Sequence, residues 1–120
     1  MKKLLLYVTL VFLFIIGLNH KVVAEAPATE VRASHILVGN YYQAEQIRKD
    51  IVDGQGSFES YAQIYSKCPS GKNGGDLGYF KRGQMVPQFE VAAFNLPVGE
   101  ISKPVWTQFG WHIIKVTDRR

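Results

Sequence analysis

The chain has 120 residues, 47% of them hydrophobic and 20% charged, enough for one domain that closes a core without metal or disulfide staples. The formal charge of +4 is uneven: Lys2, Lys3 and Lys21 lie in the first 24 positions, which hold no acid, leaving 11 basic against 10 acidic residues over 25–120. That near-neutral remainder excludes a nucleic-acid binder, which would carry a basic stripe on its folded domain, and the single cysteine, Cys68, excludes a disulfide scaffold.

Residues 1–24 read as an export signal. Met1-Lys2-Lys3 is a positive start to an apolar run of 15 residues over 4–18. As a helix that run would be about 22 Å long, at about 1.5 Å per residue, against a hydrocarbon core of about 30 Å. Val22-Val23-Ala24 then supplies the short side chains that a signal peptidase reads, so cleavage is expected after Ala24; the alternative is an uncleaved signal anchor. Both place the domain beyond a membrane, in a periplasmic or extracellular setting. No cysteine near the segment offers a lipid acceptor.

Residues 25–30, Glu-Ala-Pro-Ala-Thr-Glu, lack periodicity and are expected to form a flexible tether to a domain over 31–120. Residues 31–38 mix β-branched and apolar side chains and end at Gly39-Asn40. This strand pattern puts Ala33, His35 and Leu37 on one face and Ser34, Ile36 and Val38 on the other. Helical spacing follows over 43–52, with Ala44, Ile47 and Ile51 on one side, and Asp53-Gly54-Gln55-Gly56 stops it. Ser57 is a candidate N-cap for a second helix carrying Phe58, Tyr61, Ala62 and Tyr65, although the capping-box position holds Ser60 rather than an acid. Residues 68–76 are a run of turn formers and predict a shaped loop, and 77–80 predict a short strand. Pro87 suits the first turn of a third helix, which carries Phe89, Val91, Ala92 and Phe94. After a turn over 96–99, residues 101–105 and 111–117 predict two strands joined by a bend at Gln108-Phe109-Gly110. Strands separated by helices and closed by a hairpin-like pair predict an α+β domain with one mainly antiparallel sheet.

His35 and His112 fall inside predicted strands beside large apolar residues, where an imidazole must find hydrogen-bond partners or bear the cost of desolvation. They are either core histidines satisfied by backbone or by each other, or members of a site. His35, His112 and Cys68 lack the spacing of a metal site, so no metal or other cofactor is expected. A Cys–His nucleophilic pair is available chemistry, but the flanks of Cys68 match no cysteine-protease signature. Met85, Phe89 and Phe109 keep company with Gly74, Gly75, Gly78, Gly83 and Gly110, which let backbone approach closely. They are candidates for an apolar pocket rimmed by a few polar groups.

Four blocks of the chain, in this order, carry a resemblance. They are Ala33-Ser34-His35-Ile36-Leu37; Cys68-Pro69-Ser70-Gly71 followed by Gly74-Gly75-Asp76-Leu77-Gly78; Phe80 with Arg82-Gly83-Gln84-Met85-Val86-Pro87 and Phe89-Glu90; and Thr107-Gln108-Phe109-Gly110-Trp111-His112-Ile113-Ile114. Together, over about residues 31–119, they resemble the parvulin family of peptidyl-prolyl cis-trans isomerases. The resemblance implies a four-stranded antiparallel sheet surrounded by helices, with the cleft on its concave face. It implies that His35 and His112 are paired across adjacent strands, that Cys68 holds a position taken by cysteine or aspartate, and that Thr107 joins the histidine network. It implies as well that Met85 and Phe89 wall a proline pocket, with Leu77 at its edge and Phe109 at its mouth. The expected catalytic set is therefore His35, Cys68, Thr107 and His112, and the expected substrate-binding set Leu77, Met85, Phe89 and Phe109.

The chemistry suits these residue types. Rotation about a peptide bond meets a barrier of about 18–20 kcal/mol from amide resonance, and uncatalysed X–Pro exchange takes roughly tens to hundreds of seconds. No bond is broken, so no strong nucleophile is needed and a non-covalent mechanism is expected. Phosphate-directed members of the family place a basic cluster after the first strand. Gly39-Asn40-Tyr41-Tyr42 holds no Lys or Arg, so phospho-specificity is not expected; Lys81 and Arg82 are either a preference for an acid before proline or a solvated edge. The expected function is X–Pro isomerisation in unfolded or partly folded exported polypeptides, by a monomeric stand-alone domain that touches a membrane only if residues 1–24 are retained. The alternative is a non-catalytic polypeptide-binding chaperone module with the same pocket.

Overall fold

Alternation along the first strand, β1 (Glu30–Val38), decides the architecture. The structure, a computed structural model, describes residues 27–120, so the signal or anchor expected over 1–24 lies outside the described residues. Val31 and Ala33 on one face of β1, and Ile36 and Val38 on the other, are all completely buried. Both faces therefore have to be covered, and the remaining elements divide accordingly.

Two helices cover one face. In α1 (Tyr41–Val52) the Asn40 side chain accepts from the backbone N–H groups of Tyr42 at 2.7 Å and Gln43 at 3.3 Å. That cap starts the helix two residues before the spacing of its apolar positions does, so the connection after β1 is Gly39-Asn40 alone. In α2 (Phe58–Tyr65) Ser57 accepts from the Ser60 N–H at 3.1 Å, and the Ser60 hydroxyl donates back to the Ser57 carbonyl at 2.9 Å. The side chain at the third helical position thus bonds back to the N-cap residue, but to its carbonyl, whereas the acid of a capping box would accept from its N–H. Ala44 and Ile47 of α1, with Phe58 and Ala62 of α2, pack on Ile36, Val38 and Ile113.

The loop expected over 68–76 contains a 3-10 turn (Pro69–Asn73), closed by Gly74 at φ +68, before β2 (Asp76–Lys81). Pro87 opens α3 (Pro87–Asn95), whose Phe89, Ala93 and Phe94 cover the second face against Val31, Ala33, Phe80, Ile114 and Val116. The short β3 (Val105–Thr107) and the long β4 (Gly110–Arg119) complete a sheet of order β2-β1-β4-β3 in which every neighbouring pair is antiparallel. This is the expected α+β fold, a four-stranded antiparallel sheet with helices on both faces.

Two edges differ from the sequence pattern. The strand expected over 101–105 is reduced to one bridge, Ile101 to Lys115, because Pro104 has no N–H to give a ladder; pairing resumes only at Val105–Thr107. The two central strands, β1 and β4, are also longer than expected. Glu30 donates its N–H to the Arg120 carbonyl at 2.7 Å and accepts from the Arg120 N–H at 3.0 Å. Glu30, placed in the tether by its neighbours' composition, thus belongs to the sheet.

Candidate active site

The register of β1 on β4 brings the two histidines together. His35 stands opposite Ile114 and His112 opposite Leu37, so the imidazoles are diagonal neighbours on the face covered by α3. Their Nδ1 atoms lie 2.9 Å apart, with the rings stacked at 18° and centroids 5.1 Å apart. On the other side of β4, Thr107 is opposite Gly110 and hence diagonal to His112. Its Oγ1 lies 2.6 Å from His112 Nε2 and accepts from the Phe109 N–H at 3.2 Å. Phe89 of α3 meets both imidazoles edge to face, at 5.6 Å from His35 and 5.3 Å from His112.

Burial governs the charge of this cluster. His35, His112 and Thr107 are 5%, 4% and 1% exposed. Burial, reinforced by the neighbouring His112, lowers the His35 pKa to about 4, and burial lowers that of His112 to about 4. Both rings are neutral near pH 7, each with one proton to place. If Thr107 donates its hydroxyl proton to His112 Nε2, then His112 carries its proton on Nδ1 and donates it to His35 Nδ1. His35 then keeps its own proton on Nε2, a buried atom with no partner among the described residues. The reverse direction would leave that nitrogen and the Thr107 hydroxyl proton both unpaired, so the count of hydrogen bonds favours the first.

The glycine at 75 fixes the chain beside the pair. The His35 N–H donates to the Gly75 carbonyl at 2.9 Å. Gly75 has φ +86, and a Cβ there would strike the His35 carbonyl oxygen.

Next to the histidines opens a groove of about 500 Å³. Apolar Leu37, Pro69, Leu77, Met85, Val86, Phe89 and Phe109 line it together with the two imidazoles, Cys68 and Gln84. Met85 is delivered by the turn between β2 and α3, where the Gln84 side-chain oxygen accepts from the Lys81 N–H at 2.7 Å. Cys68 precedes the 3-10 turn and is half-buried. With both imidazoles neutral, the groove lining carries no charge.

Seven of the eight residues singled out from the sequence line this groove: His35, Cys68, Leu77, Met85, Phe89, Phe109 and His112. Thr107 stands behind His112 instead of on the wall. Leu37, Pro69, Gln84 and Val86 were not singled out, although Leu37 shares the face of His35 by strand alternation and the other three adjoin chosen residues. Lys81 and Arg82 are directed elsewhere: Lys81 lies 3.8 Å from Glu30, and the Arg82 guanidinium covers the Phe94 ring at 4.2 Å.

A sequence model of the PPIC-type PPIase (rotamase) domain matches residues 27–118. The chain belongs to this family. Among its relatives, the foldase protein PrsA of Oceanobacillus iheyensis is 50% identical over 97 residues, which are 80% of this chain and 32% of that protein. The crystal structure of the peptidylprolyl isomerase PrsA from Bacillus anthracis superposes with a TM-score of 0.75 and 45% identity, over 78% of this chain and 43% of that one. The solution structure of NmPin, the parvuline of Nitrosopumilus maritimus, gives 0.70 and 41%, over 78% of this chain and all of that one, 100%. The chain spans about a third of the length of the curated relatives it matches, 32% in the first two. What those foldases share with it is the rotamase domain.

Proposed function

We propose that this PPIC-type protein is a peptidyl-prolyl cis-trans isomerase that speeds X–Pro isomerisation in exported polypeptides, without a covalent intermediate. The observation that carries the reading is an uncharged apolar groove ending at a buried, neutral histidine pair. A proline ring fits against Leu77, Met85 and Phe89, and the amide before it then lies between that wall and Cys68. Water is excluded there, which disfavours the planar amide's solvated dipole relative to the twisted state. Lowering the barrier by about 5 kcal/mol would give several thousandfold, since about 1.36 kcal/mol is tenfold, and binding the twisted form more tightly can supply it.

The hydrogen bonds argue against Cys68 as a nucleophile. A thiol needs a base. Both Nδ1 atoms face each other and His112 Nε2 faces Thr107, while His35 Nε2 holds its own proton in the favoured arrangement. No imidazole nitrogen is left to accept one. The uncharged lining likewise supports general X–Pro substrates over phosphorylated ones. The positive start and apolar run of residues 1–24 support an exported location. Among the described residues no helix is long and apolar enough to cross a membrane. Both core clusters draw only on residues 31–116, which supports one folding unit over 31–120.

The test is cis/trans exchange in X–Pro peptides, measured by NMR with the purified protein and a Met85→Ala variant. Catalysed exchange that falls at least about tenfold in a folded variant, an effect of about 1.4 kcal/mol, is the expected result. Line broadening by binding without faster exchange would replace the isomerase with a holding chaperone.

A further inference from the structure

Lys67 adjoins this uncharged groove, next to its lining residue Cys68. Lys67 links the end of α2 to Cys68, and its backbone N–H donates to the Leu37 carbonyl at 2.8 Å, so the residue is stitched to the end of β1 between two groove-lining side chains. Its ammonium folds over Gly39, where a Cβ would come within 2.9 Å of Nζ. Gly39 follows the last residue of β1, two positions beyond the groove-lining Leu37. The ion pairs among the described residues engage Arg32, Lys81, Lys115 and Arg120, and Lys67 is in none of them.

We propose that Lys67 is a specificity residue that favours an acidic side chain immediately before the proline, an inference that rests on the isomerase reading above. With the ring against Met85 and Phe89 and the amide beside Cys68, the preceding side chain extends past Cys68 toward Leu37 and Gly39. A glutamate carboxylate placed there meets the Lys67 ammonium. Neutral His35 and His112 offer it no rival cation. Lys67 is exposed, so the attraction is that of a solvated pair, about two- to fivefold in affinity, and salt screens it.

The experiment compares Glu–Pro and Gln–Pro peptides, identical elsewhere, on the purified protein and on Lys67→Gln, Lys67→Glu and Lys67→Arg variants. Exchange rates and binding affinities are both read by NMR. Glu–Pro is expected to be preferred by about two- to fivefold at low salt, with the ratio falling to about one in Lys67→Gln and in roughly 1 M salt. The ratio should drop below one in Lys67→Glu and persist in Lys67→Arg. A ratio near one in the unmodified protein, or one that Lys67→Gln leaves unchanged, overturns the proposal. Should no peptide be catalysed, the isomerase reading fails, and the Glu-to-Gln ratio of affinities still decides the role of Lys67.

Discussion

Mild acid should destabilise this protein through His35 and His112 before its carboxylates titrate. Each imidazole has a pKa of about 4 in the folded state against an ordinary value of 6.5. Between those values the unfolded chain binds protons that the folded chain refuses, so stability is full above the unfolded value and falls as pH falls through the window. From pH 7.5 to pH 5 the loss comes to about 2 kcal/mol per histidine and about 4 kcal/mol for the pair, a large part of the roughly 5–15 kcal/mol typical of a small domain. The only other histidine, His20, lies in the expected signal segment. Below about pH 4 the folded pair protonates as well and its contribution to the slope ends. Glu59 and Asp76, held low by hydrogen bonds from Lys115 and Arg32, and Asp118, held low by Tyr79, then extend the loss. Urea unfolding at steps from pH 7.5 to 5, with NMR titration of the imidazole C–H signals, measures both sides of the linkage. A change below about 1 kcal/mol over that range, or imidazoles titrating near their ordinary 6.5, would refute the reasoning.

Three substitutions probe the same region by other routes. Thr107→Val keeps the shape but leaves His112 Nε2 and the Phe109 N–H unpaired. It should cost about 2–4 kcal/mol in denaturant unfolding, and a loss under about 0.5 kcal/mol would show that the hydroxyl is not a true partner. Gly75→Ala should cost about 2–4 kcal/mol, because it adds a collision with the His35 backbone to an unfavourable φ, whereas Gly99→Ala, at φ +89 in open space, should cost only about 1–2 kcal/mol; equal losses would discount the collision. Cys68→Ser should retain roughly a tenth or more of the exchange rate, a loss of no more than about 1.4 kcal/mol, and complete loss in a folded variant would restore the covalent mechanism.

Features set by near neighbours were legible in the sequence. Strand alternation in β1 placed His35 with Leu37 and Ala33, Ser57 and Pro87 marked two helix starts, and the turn formers over 68–76 marked the loop below the groove. Features set by distant pairing were not. Contact between His35 and His112, 77 residues apart, depends on the β1–β4 register, which no local spacing encodes; only the family resemblance supplied it. The Asn40 cap escaped notice because the Tyr42 it starts is exposed and carries no apolar period. Pro104, by contrast, was in plain view and should have shortened the strand expected over 101–105. Lys67 had no signal at all: its place beside the groove arises only where the end of α2 crosses the end of β1.

Core and site share residues here, and that sharing determines which experiments can speak about catalysis. His35 and His112 tie the two central strands together, and Phe89 both walls the groove and packs in the core with Phe80 and Phe94. Removing the Phe89 ring would cost roughly 3–5 kcal/mol of stability, so a slow Phe89→Ala protein would say as much about folding as about the pocket. Met85 is different. It is only partly buried, comes from a turn, and rests on the core cluster from outside. Its loss should therefore cost catalysis more than stability. The same reasoning makes the neutral histidine pair a part of the scaffold: the facing Nδ1 atoms and His112 Nε2 are engaged in holding β1, β4 and β3 in register, and in the proposed isomerase the pair would offer the substrate a fixed, uncharged floor.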